Sequence, residues 1–197
     1  MSTVLYLKFT PECVLDAYRH GIFPMADSET GEIEWYSPDP RAIVPLDGLH
    51  ISRRLARTIR SGKFEIRTDS SFEEVMRACA DREESSWISE EFVKLYCELH
   101  GHGYARSVET WREGELVGGL YGVSVGGAFM GESMFYRETD ASKVALAALV
   151  DHLNERGFAL LDTQFMTPHL STIGAVEIPA AEYLSRLQHA LGLSCRF

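Results

Sequence analysis

A chain of 197 residues, with 45% apolar and 24% charged residues, can bury a real core, and its composition is that of a soluble globular protein. Its 29 acids against 19 bases, a formal net charge of −10, exclude a protein that coats nucleic acid generally but leave room for a local basic patch. Cys13, Cys79, Cys97 and Cys195 are scattered without a Cys-x-x-Cys pair and read as reduced structural thiols. Met1 to Phe9 lack a secretory pattern, and no stretch reaches the ~18 apolar residues of a membrane helix, so a cytoplasmic location is expected.

In chain order, Thr10-Pro11-Glu12 opens a helix with a capping hydroxyl, a first-turn proline and an acid facing the dipole, and Gly21 and Pro24 stop it. Phe23 to Pro45 reads as an irregular aromatic and proline-rich loop, a length more often used for binding than for spacing. Further helices are expected at Ile51 to Arg60, after a Ser71/Glu74 capping box to Ala80, and from Ser89 to Gly101. Tyr104 to Trp111, Leu116 to Val125 and Ala128 to Phe135 read as an antiparallel meander, turning at Glu113-Gly114 and Gly126-Gly127. Ala141 to Glu155 is a strong helix, Ala159 to Phe165 a strand parallel to the last of the meander, and Ala180 to Leu191 a closing helix. The class is α+β, a helical N-terminal part on a mixed sheet.

Around Ile51 to Lys63, a helical wheel places Arg53, Arg57 and Arg60 on one stripe flanked by Arg54 and Lys63, with Ile51, Leu55 and Ile59 opposite. Positions 53 to 67 hold six cations and one anion. The stripe reads as a solvated face or as a phosphate track for folded RNA, and the neighbouring aromatic loop tilts the balance to the second.

Two patterns mislead. Gly122-Val123-Ser124-Val125-Gly126 matches a hydrolase nucleophile elbow, but strands flank it on both sides, so Ser124 reads as a hairpin residue. His100 and His102 near Cys97 lack a fourth ligand, and no metal is expected. At period two, Met130, Glu132 and Met134 share one face of their strand, and Leu160, Asp162 and Gln164 share one of theirs. If the crossover makes the strands neighbours, an apolar pocket edged by two acids and an amide results.

The segments AYRHGIFP (17–24), WYSPDPR (35–41), LHISR (49–53), CADR (79–82), WI (87–88), ELVGGLYGV (115–123), GESMF (131–135), ASK (141–143), LDTQ (161–164) and GAVEIP (174–179) resemble, in order, those of bacterial leucyl/phenylalanyl-tRNA–protein transferases. The resemblance implies transfer of Leu or Phe, less readily Met, from aminoacyl-tRNA to proteins that begin with Arg or Lys, marking them for degradation in the N-degron pathway. It implies a reduced N-terminal domain (1–40) and a domain similar to the N-acetyltransferase (GNAT) fold (41–197), a monomer without cofactor. It further implies Asp162 and Gln164 as the catalytic pair and Glu132 as the contact of the donor's amino group. Met134 and Leu120 would line the side-chain pocket, and Tyr18, Trp87, Tyr96 and Trp111 the site for the tRNA 3′ end and its amino acid. Met25 stands where the family often has tryptophan, and the N-terminus is shorter than in many members. An acyl-CoA-dependent N-acyltransferase and a non-catalytic tRNA-binding module are the alternatives.

Overall fold

The computed structural model describes residues 9–27, 30–81 and 86–197, so Arg82 of the CADR segment and the first eight residues lie outside it. Helix α1 (Pro11–Arg19) begins as expected, with the Thr10 hydroxyl accepting from Cys13 N at 3.4 Å, and buries Val14, Leu15, Ala17 and Tyr18. The stretch expected to be an irregular loop instead contains three short strands. β1 (Phe23–Ala26) and β2 (Ile33–Tyr36) form an antiparallel hairpin of their own, and β3 (Arg41–Ile43) joins the main sheet. β3 is three residues long and buried throughout, so it offers no alternation to read.

Helix α2 (Arg53–Arg60) is capped by Ser52, two residues later than expected, and only Leu55 of its apolar side is buried. Ile51 and Ile59, placed on that side by the wheel, are 40% and 38% exposed. After β4 (Glu65–Thr68) comes α3 (Phe72–Ala80), where the anticipated capping box does not form. The Ser71 side chain caps nothing; its backbone N–H instead donates to the buried Glu109 carboxylate at 2.9 Å. Helix α4 (Glu90–Gly101) is capped by Ser89.

The meander is as expected, with β5 (Ala105–Arg112), β6 (Glu115–Val125) and β7 (Ala128–Tyr136) followed by α5 (Ala141–Glu155) and β8 (Leu160–Gln164). A short α6 (Pro168–Thr172), the strand β9 (Val176–Ile178) and α7 (Ala180–Leu191) close the chain. The seven-stranded sheet runs β4-β5-β6-β7-β8-β3-β9, and β7–β8 is its parallel pair, made by the crossover through α5. One face of the sheet packs on α1, α3, α4 and α7; the other is covered by α5, with Leu146, Leu149, Val150 and Leu153 against Leu120, Phe129 and Leu161. Among the described residues no helix is long and apolar enough to cross a membrane.

Candidate active site

The site forms where β7 and β8 part. Their pairing ends at Met130 opposite Asp162, while β7 continues to Tyr136. At that point β7 carries a bulge: Tyr121 faces Ser133 and Gly122 faces Gly131, leaving Glu132 as the extra residue. A side chain at Gly122 is excluded there, since a Cβ would sit 2.3 Å from the Met130 carbonyl oxygen. The bulge overturns the expected shared face. Met130 packs into the core under α1, α3 and α4, whereas Met134, opposite Leu120, packs on the α5 side. Both glycines that mimicked a nucleophile elbow thus have backbone roles, Gly122 at the bulge and Gly126 in the following turn with φ 58°. Ser124 lies within β6 opposite Phe129.

Asp162 is fully buried, and its carboxylate accepts four hydrogen bonds. Arg41 donates Nε to Oδ1 at 2.9 Å and Nη2 to Oδ2 at 2.7 Å, the Tyr183 hydroxyl donates to Oδ2 at 2.9 Å, and the Gln164 backbone N–H donates to Oδ1 at 2.9 Å. Arg41 is 1% exposed, donates also to the Gly21 carbonyl at 3.0 Å, and lies between the rings of Phe23 and Tyr183, 4.7 and 4.5 Å from their centroids. A buried charge pair is sustainable only with this degree of hydrogen bonding. Neither Arg41 nor Tyr183 was among the residues that the sequence pointed to for chemistry. Arg41 closes the WYSPDPR segment and is the first base after five acids, which was the available signal.

The last hydrogen bond to Asp162 shapes Gln164. A carboxylate accepting the N–H two residues on is an Asx-type turn, and it holds Gln164 at φ 61°, in the left-handed region that a glutamine rarely occupies. From there Gln164 Nε2 donates to Glu132 Oε1 at 3.1 Å, leaving its carbonyl oxygen to accept. Glu132 is also hydrogen-bonded by Tyr18, whose hydroxyl lies 2.5 Å from that of Tyr96. Burial pushes the Glu132 carboxyl up to about 8, reinforced by Asp162 and opposed by Tyr18 and Arg41. Burial also holds the phenols of Tyr18 and Tyr96 well above their ordinary value, so both keep their protons.

Through the gap between β7 and β8 runs a cavity of about 350 Å³. Its floor is apolar, formed by Leu120, Met134, Leu146, Leu149, Leu161 and Leu170. Glu132, Gln164, Thr163 and His169 give it a polar waist, and Phe23, Met25, Trp87 and Phe165 also line it. Burial, and after it the nearby Lys143, lower the His169 imidazole from its ordinary value. Of the residues expected here, Glu132, Gln164, Met134, Leu120 and Trp87 line the cavity together. Tyr18 and Tyr96 lie buried against Glu132 rather than in the wall, and Asp162 lies behind Gln164. Trp111 is not among the lining residues: β6 separates its strand from β7, its indole N–H donates to Glu109 at 3.0 Å, and Arg67 covers its ring at 4.5 Å.

On α2, Arg53, Arg57 and Arg60 are exposed and, among the described residues, make no ion pair. Arg54 bridges to Asp140 at 3.2 Å and Lys63 to Glu138 at 2.7 Å, tying the helix to the start of α5 and reducing the free positive charge of the stripe. Near Cys97, His100 Nδ1 lies 2.9 Å from the Ala105 carbonyl oxygen and its ring stacks on Phe72.

Comparison with known proteins shows the family of the chain. A family model described as leucyl/phenylalanyl-tRNA protein transferase matches residues 43–188, and one for the N-terminal domain of the same proteins matches residues 8–39. The leucyl/phenylalanyl-tRNA–protein transferase of Gloeobacter violaceus is 57% identical over 98% of this chain and its own whole length. That of Herpetosiphon aurantiacus is 56% identical over 96% of this chain and 98% of its own. Among solved structures, L-PGS from Bacillus licheniformis overlaps with a TM-score of 0.42 at 16% identity, over 81% of this chain and 55% of that one.

Proposed function

Because the chain belongs to the leucyl/phenylalanyl-tRNA–protein transferase family, we propose that it moves leucine or phenylalanine, and less readily methionine, from aminoacyl-tRNA to the N-terminal Arg or Lys of acceptor proteins in the cytoplasm, marking them for degradation. The observation that carries this reading is the Gln164–Glu132 pair at the waist of an apolar cavity, with no hydrogen bond to the glutamine carbonyl among the described residues.

The reaction is aminolysis of an ester. The acceptor's nitrogen attacks the carbonyl carbon, the C–N bond forms, the C–O bond to the ribose breaks, and one proton passes from the nitrogen to the departing oxygen. An α-amine has a pKa of ~7.7–8.0, so about a tenth is already neutral at pH 7, whereas a lysine side chain near ~10.4 almost never is. A strong base is therefore not required, and the N-terminus is selected partly by its acidity. Gln164 Oε1 accepts from the amine and aims it, and positioning of this kind can supply ~7–11 kcal/mol. Asp162 has no free lone pair directed at the cavity, so its role is to position Gln164 rather than to collect the proton. Glu132 holds the donor's amino group, and the leucine-lined floor with Met134 takes its side chain. The exposed arginines of α2 provide the track for the tRNA backbone.

The direct test offers charged tRNA or acetyl-CoA together with a peptide that begins with Arg. Product with Leu-tRNA alone supports the reading. Product only with acetyl-CoA, or tRNA binding without transfer, contradicts it.

A further inference from the structure

We propose that Glu34, Tyr36 and Phe165 form the subsite that receives the cationic side chain of the acceptor's first residue. This deepens the transferase reading and rests on it.

Cross-strand partners on the β1–β2 hairpin share a face, so Tyr36 stands beside Phe23 and Glu34 beside Met25. Phe23 and Met25 line the cavity, which places Glu34 and Tyr36 on the hairpin face that borders it. Phe165 follows Gln164 directly, lines the same cavity and is 42% exposed, one of few large apolar side chains so open to solvent. Its ring meets Phe23 and Tyr36 edge to face, at centroid distances of 5.6 and 6.2 Å. The Tyr36 hydroxyl donates to Glu34, so one aromatic wall and one exposed carboxylate form a continuous surface next to the amide that aims the amine.

An aromatic face beside a carboxylate attracts a guanidinium or ammonium group. The sequence around the hairpin is of one sign: residues 27–40 carry Asp27, Glu29, Glu32, Glu34 and Asp39 and no lysine or arginine. The next base, Arg41, is buried and neutralised by Asp162, so it does not cancel that field. The tRNA backbone is disfavoured there by the same charges, and the exposed arginines are on α2 instead. The hairpin wall therefore suits the acceptor's cation, while its α-amine reaches Gln164 one residue away.

The test compares peptides that begin with Arg or with citrulline, its uncharged isostere, at saturating Leu-tRNA, in the parent, Glu34→Gln and Phe165→Ala. Each substitution is expected to raise the KM of the Arg peptide about threefold to fivefold, and Glu34→Gln, outside the cavity lining, to leave the KM of Leu-tRNA nearly unchanged. Glu34→Gln is further expected to bring the Arg-over-citrulline preference close to one. Glu34 is exposed, so its variant keeps the fold, which its melting curve verifies. Unchanged peptide KM and preference in an active enzyme would overturn the subsite alone. A raised Leu-tRNA KM with an unchanged peptide KM would overturn it in favour of base stacking. A parent that transfers nothing overturns the transferase reading itself.

Discussion

Arg41 and Asp162, 121 positions apart, meet in a two-point ion pair at 2.9 and 2.7 Å with both side chains essentially sealed from water. The pair ties β3 to β8 and, through the Gly21 carbonyl and Tyr183, the end of α1 to α7. Removing one partner leaves an uncompensated buried charge. Arg41→Ala is therefore expected to lower stability by about 3–5 kcal/mol in urea denaturation. The double variant with Asp162→Ala should lose clearly less than the two single losses added together, because neither charge remains. Additive losses would mean that the two groups do not act as a unit.

Glu132 makes a pH prediction with a definite sign. Its carboxyl is pushed up to about 8 in the folded protein, against an ordinary value near 4.5. Between those values the folded state holds the extra proton, so stability falls as pH rises through that window and levels off above it. Glu132→Gln removes this dependence. Relative to the parent, the variant should be more stable at pH 8.5 than at pH 5, by an amount that urea curves at the two values resolve. Equal differences at both would place the carboxyl in an ordinary environment.

Helices α1, α5 and α7 were legible because Thr10, the apolar spacing of 141–155 and that of 180–191 are local signals, and the handed crossover then made β7 and β8 neighbours. The bulge at Glu132 was not: an inserted residue leaves the alternation on either side intact and only shifts its phase, so Met130 was read onto the face of Met134 although it packs on the other side. Arg41 was missed as a site residue because its partner is more than half the chain away. Trp111 was placed near the cavity by motif alone, and the intervening strand β6 decides otherwise.

In the proposed reading, the floor of the cavity sets donor choice. Leu, Phe and Met share an unbranched β-carbon, and a narrow slot rejects Val and Ile by ~1–3 kcal/mol. Met134→Ala widens the slot beside Leu120. Transfer from Val-tRNA relative to Leu-tRNA should then rise about tenfold in competition assays. An unchanged ratio would move the side-chain pocket elsewhere.

The exposed arginines of α2 should act through salt-dependent binding, not chemistry. Replacing Arg53, Arg57 and Arg60 together by alanine is expected to raise the KM of full-length Leu-tRNA and to reduce the slope of log KM against log salt by about 2–3. Transfer from a minimal leucyl-adenosine donor should stay at the parent rate. A matching loss with the minimal donor would place the helix in the active site instead.

In the proposed mechanism Gln164, held by Asp162 and oriented by Glu132, aims the attacking amine. Single-turnover transfer by Gln164→Ala, with Leu-tRNA and Arg peptide both saturating, tests it most directly. The rate should fall by about 10²–10³ while Leu-tRNA affinity is retained, a loss typical of removing one preorganised polar group. Transfer at the parent rate under saturation would mean that Gln164 does not aim the amine.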